Sequence, residues 1–110
     1  MTYALGKTAE DNMNIEDIRR VASPACREFG VRRLDVFGSV ARGEPSASSD
    51  VDLLVEFADP DHCPARRFFG LLHRFEEKLG CDVDLLTANS LRNPHFKARV
   101  LRERVSVYEG

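Results

Sequence analysis

With 110 residues, 43% of them hydrophobic and 31% charged, the chain suits one domain around a single core. A net charge of -2 argues against direct binding to a nucleic-acid backbone, and no apolar run approaches the length of a membrane span. The first residues lack a basic-then-apolar leader pattern, and Cys26, Cys63 and Cys81 form an odd set without CxxC spacing, so a cytoplasmic protein with reduced thiols is expected.

Residues 1–12 show no periodicity and are expected to be a flexible extension, leaving 13–110 as the domain. Ile15 to Phe29 carries apolar residues at helical spacing, with Asn14 as cap and Asp17 three residues on. Pro24 predicts a kink there, or a restart capped by Ser23, and Gly30 closes the helix. Arg33 to Phe37 reads as a short strand, Ser39 to Arg42 as a brief helix opening, Glu44 to Ser49 as a linker and Val51 to Phe57 as a buried strand. Beyond a loop of turn formers from Ala58 to Pro64, the span Ala65 to Leu79 predicts an amphipathic helix. Its expected apolar face is Phe68, Phe69, Leu71, Leu72, Phe75 and Leu79. Cys81 to Leu86 reads as a third strand, Pro94 to Glu103 as a last helix capped by Asn93, and Val105 to Tyr108 as an edge strand. The expected class is α/β (α+β), a small mixed sheet of three to four strands with helices packed on it.

The chemistry concentrates in two segments. Gly38-Ser39 follows a strand and opens a helix, where close backbone approach and free N–H groups suit a phosphate. Ser39 adds a hydroxyl, and Arg42 is spaced to meet a phosphate oxygen. After ten intervening residues come Asp50 and Asp52, which in a strand share one face about 6.6 Å apart. Such hard oxygen ligands suit Mg²⁺, and two ions can clamp the attacking and leaving oxygens of a phosphoryl displacement. The pentapeptide Asp50-Val51-Asp52-Leu53-Leu54 returns as Asp82-Val83-Asp84-Leu85-Leu86, and so offers a third carboxylate. Asp84 is favoured because it aligns with Asp52 in this echo; Asp82 has the same parity and remains its competitor. The scattered His62, His73 and His95 lack ligand spacing for zinc. Arg92, Lys97, Arg99, Arg102 and Arg104 make the last helix basic, either as a solvated face or as a surface for an acidic partner or for RNA bound to that partner.

Phe37-Gly38-Ser39 through Asp50-Val51-Asp52 resembles the signature of the polymerase-beta-like nucleotidyltransferase superfamily. In size and in the strand Val83-Asp84-Leu85-Leu86-Thr87, the chain is similar to its minimal nucleotidyltransferase group. That resemblance spans about residues 15–108 and implies the nucleotidyltransferase fold, Mg²⁺ and ATP. It implies that Gly38, Ser39 and Arg42 bind the nucleotide and that Asp50, Asp52 and Asp84 are the catalytic, metal-holding carboxylates. The group also implies an antitoxin that transfers AMP to a tyrosine of a HEPN-family toxin, its partner in a hetero-oligomer. An antitoxin acting by stoichiometric binding, or a homodimer modifying a small molecule, are the alternative readings.

Overall fold

The computed structural model describes residues 14–43 and 51–110. The expected extension over 1–12, the Glu44–Ser49 linker and Asp50 lie outside the described residues.

Helix α1 (Ile15–Phe29) begins with a reciprocal cap. The Asn14 side chain accepts from the Asp17 N–H at 3.0 Å, and the Asp17 carboxylate accepts from the Asn14 N–H at 3.3 Å. The helix runs unbroken through Pro24, so the restart expected at Ser23 is absent. Pro24 and Arg20, whose carbonyl loses its helical donor, are both exposed, and water can take the place of the missing bond. Gly30, at φ +69°, turns the chain out of the helix.

Strand β1 (Val31–Phe37) starts two residues earlier than expected because buried Val31 already pairs with Phe57. Its end leads directly into the single-turn helix α2 (Gly38–Ala41). Strand β2 (Val51–Phe57) runs antiparallel to β1, with Phe37 opposite Asp52. Helix α3 (Pro64–Leu79) then carries the chain over the sheet to β3 (Val83–Thr87), which lies parallel to β2. A 3₁₀ turn at Ala88–Ser90 leads to α4 (Pro94–Glu103), and β4 (Val105–Glu109) returns antiparallel to β1. The strand order is β3-β2-β1-β4, a mixed sheet as the pattern predicts. The third strand begins at Val83 rather than Cys81, although the Asp82 carbonyl still accepts from the Val51 N–H at 3.1 Å.

Alternation along the strands divides the apolar side chains between two faces. Leu34, Val36, Val51, Leu53 and Val55 meet Ile18, Ala22, Leu71 and Phe75 of α1 and α3. A smaller cluster on the other face joins Phe37 and Leu54 to Leu91 and Val100, the last on α4. Phe69, expected on the apolar face of α3, is instead 54% exposed. Two residues from Leu71 is about 200° around the helix, which turns Phe69 away from the core. Arg67 takes an inward place four residues before Leu71 and is only 8% exposed. Its guanidinium donates to the carbonyls of Phe29 (3.0 Å), Asp59 (2.8 Å), His62 (2.7 Å), Gly30 (2.7 Å) and Ala58, and lies 4.7 Å above the Phe57 ring. This ties the loop after β2 to the end of α1. Among the described residues, no helix is long and apolar enough to cross a membrane.

Candidate active site

The pairing of β2 with β3 follows the sequence echo residue for residue: Val51 with Val83, Asp52 with Asp84, Leu53 with Leu85 and Leu54 with Leu86. Asp52 and Asp84 are therefore direct neighbours across the parallel ladder, their Cα atoms about 4.8 Å apart, with side chains on one face. Asp52 is half-buried and Asp84 exposed. This register places Asp84, rather than Asp82, level with Asp52, since Asp82 precedes the strand.

On the other side of Asp52, the antiparallel pair with Phe37 delivers the turn. Gly38 sits at φ +74°, and a Cβ added there would overlap Asp52 Oδ2 and come within 3.2 Å of its Cγ. Glycine is thus required both by the backbone and by the close approach to the carboxylate. Phe37 caps α2 without a side-chain hydrogen bond, so the first N–H groups of the turn have no side-chain acceptor at the cap. Ser39 is half-exposed beside them. Arg42, at the end of this turn, is held at 3.1 Å by Glu103 of α4, which Arg99 also approaches at 3.5 Å.

The same sheet face holds a third carboxylate, which the sequence reading did not single out. Asp35 is 1% exposed, accepts from Arg33 Nε at 3.0 and 3.1 Å, and is reached by Arg104 at 3.4 Å. The alternation of Arg33, Asp35 and Phe37 on β1 was the available signal, because it sets Asp35 on the face of Asp52. Two arginines close on it, which makes it a structural tie between β1 and α4.

The residues present fit a hard divalent cation: the neighbouring donors are carboxylate oxygens, and the glycine lets the Asp52 carboxylate lie directly against the turn. Among the described residues no three His, Cys, Asp or Glu side chains converge as ligands; Asp52 and Asp84 make two, and Asp50 lies outside that set. An apolar groove of about 950 Å³ lies toward the opposite ends of β2 and β3, lined in part by Phe57, Phe68, Phe69 and Thr87, and contains none of the expected site residues.

Comparison with known proteins agrees with this geometry. The family described as nucleotidyltransferase domain matches residues 18–107. The protein adenylyltransferase MntA of Thermococcus cleftensis is 43% identical over 84% of this chain and 92% of its own length. A Methanocaldococcus jannaschii protein named for the same activity is 42% identical over 86% of this chain and 99% of its own. A solved structure described as a minimal nucleotidyltransferase is 37% identical, covers 84% of this chain and 95% of its own, and superposes with a TM-score of 0.63. Two chains from toxin–antitoxin complexes share the fold. One complex carries AMP-PNP (22% identity, 89% of this chain and 75% of the other, TM-score 0.64). The other joins a tri-AMPylated HEPN toxin of Shewanella oneidensis to its MNT antitoxin (18% identity, 87% and 73%, TM-score 0.60). The chain belongs to the nucleotidyltransferase domain family, as an enzyme of its minimal, MntA-type group.

Proposed function

We propose that the chain transfers AMP from ATP to a hydroxyl of a protein partner, a tyrosine of a HEPN-family toxin, and so acts as the antitoxin of a toxin–antitoxin pair in the cytoplasm. The carrying observation is the register that sets Asp52 beside Asp84, next to the Gly38 turn. Residues 13–110 form the catalytic domain in this reading.

Asp50, Asp52 and Asp84 would hold Mg²⁺, which when bound offsets the charge of the triphosphate and of the developing transition state. Gly38 and Ser39 cradle phosphate oxygens through backbone N–H groups and the hydroxyl. Arg42 exchanges Glu103 for a phosphate oxygen as the nucleotide enters. The acceptor oxygen forms a bond to the α-phosphorus while the bond from that phosphorus to the bridging oxygen breaks. The hydroxyl proton passes to Asp84, and pyrophosphate leaves. Asp84 is exposed at an edge strand, where a second protein can present its hydroxyl. The activity for which the Thermococcus relative is named supports protein adenylylation, and the toxin–antitoxin complexes among the structural neighbours support the choice of partner.

The test is intact-mass measurement of a candidate HEPN toxin incubated with this protein, ATP and Mg²⁺, with Asp52→Asn as control. We expect one or more AMP additions, reduced at least about 10³-fold in rate by the substitution, without loss of thermal stability. A stable complex with no added mass would replace the enzyme reading with neutralisation by binding.

A further inference from the structure

We propose that Phe96 is the platform on which the base of the nucleotide stacks, so that the start of α4 builds the base-binding half of the site. This inference rests on the nucleotidyltransferase reading and adds a specificity residue to it. Phe37 pairs with Asp52 across β1 and β2 and immediately precedes Gly38. Its ring is buried and meets the ring of Phe96 edge to face, with centroids 6.2 Å apart and planes at 74°. The path from the Asp52 carboxylate to the Phe96 ring is thus about two neighbouring side-chain spacings, on the order of 10 Å. That matches the reach of a nucleoside from its phosphate to its base.

Phe96 is 41% exposed, although a phenylalanine serving only to cover Phe37 gains by burial. Its backbone is fixed where it stands, because Asn93 Oδ1 accepts from the N–H groups of His95 (2.9 Å) and Phe96 (3.1 Å). Arg92 and Lys97 flank it, and neither makes an ion pair with a described residue, so the surroundings favour a polyanionic ligand. The other large exposed apolar residue of α4, Leu101, lies five positions on, about 140° around the helix. The two do not form one docking stripe, which leaves Phe96 as an isolated ring beside the site. Stacking on a phenylalanine is tolerant of base identity, so purine triphosphates should bind somewhat better than pyrimidine triphosphates, with little choice between adenine and guanine.

Binding of a non-hydrolysable ATP analogue and of inorganic tripolyphosphate, each with Mg²⁺, should be measured calorimetrically for the wild type, Phe96→Leu and Phe96→Tyr. Leucine keeps apolar cover over Phe37 but removes the π-face. We expect Phe96→Leu to weaken the ATP analogue about 5- to 100-fold while tripolyphosphate affinity stays the same, and Phe96→Tyr to restore the former. Unchanged affinity for the analogue in folded Phe96→Leu, or equal loss for both ligands, would overturn the stacking role while leaving the enzyme reading intact. A wild type that binds neither ligand would overturn both.

Discussion

The two ends of the central strand β2 handle charge in opposite ways. At the Phe57 end a single cation, Arg67, is withdrawn from water and given five backbone carbonyls. Its hydrogen-bonding capacity is consumed by the fold, and the loop it gathers is fixed in place. At the Asp52 end two carboxylates stand side by side on neighbouring strands, one of them exposed, against a turn that only glycine can make. Like charges so placed repel, and they become favourable when a cation or a cationic ligand complex joins them. One end completes its interactions within the chain; the other presents an exposed carboxylate, Asp84, where a ligand can meet it.

Substitutions can collapse that contrast from either side. After Asp52→Asn, the largest loss of activity is expected from Gly38→Ala, whose methyl would fall on the Asp52 carboxylate at a positive φ. Transfer activity should drop more than about 100-fold, with a stability loss of roughly 1–2 kcal/mol, read from initial rates and thermal melts. Near-normal activity would remove the close approach of turn and carboxylate from the mechanism. Arg67→Met should reverse the pattern. Leaving five carbonyls without their donor should cost about 3 kcal/mol and lower Tm by roughly 10–20 °C, while turnover per folded molecule stays within about twofold. A turnover loss as large as that of Gly38→Ala would show that the two ends are not independent.

The smallest change concerns the thiols. Burial pushes the Cys26 thiol up from 9.0 to about 12, whereas Cys63 is exposed. Because the folded state holds that proton more tightly, the resulting stabilisation is complete below pH 9 and is lost as pH rises toward 12. Near pH 8, alkylation followed by peptide mass analysis should label Cys63 first and Cys26 only on unfolding. Equal rates at the two would mean that the inner face of α1 opens readily.

Most of the carboxylate end was legible in the sequence, whereas the Arg67 end was not. Gly38, Ser39 and Asp52 belong to a local pattern, and the repeated Asp-Val-Asp-Leu-Leu anticipated which residue would stand next to Asp52, because parallel strands set like positions side by side. The helix limits at Asn14 and Gly30 followed from capping chemistry that acts within a few residues. Arg67 follows an equally charged Arg66, and composition does not distinguish them. Its spacing from Leu71, Phe75 and Leu79 put it on the buried side of α3, yet the carbonyls that permit such burial come from distant turns. Strand alternation marked the face of Asp35 but not its burial, because Arg104, its second partner, is 69 residues away. Of the two outcomes read from Pro24, a kink or a restart, the continuous helix excludes the restart, which its exposed setting does not require.

If Asp52 and Asp84 act together as proposed, the parallel pairing of β2 with β3 also governs when the protein can become active. β3 reaches its place only after α3 has crossed the sheet, so Asp52 and Asp84 meet through a long chain excursion rather than a hairpin. A partly folded chain can hold the glycine turn and β1 without having the carboxylate pair. Under the proposed function, catalytic competence would therefore follow the finished crossover, and a chain that has not completed it would not act on the nucleotide.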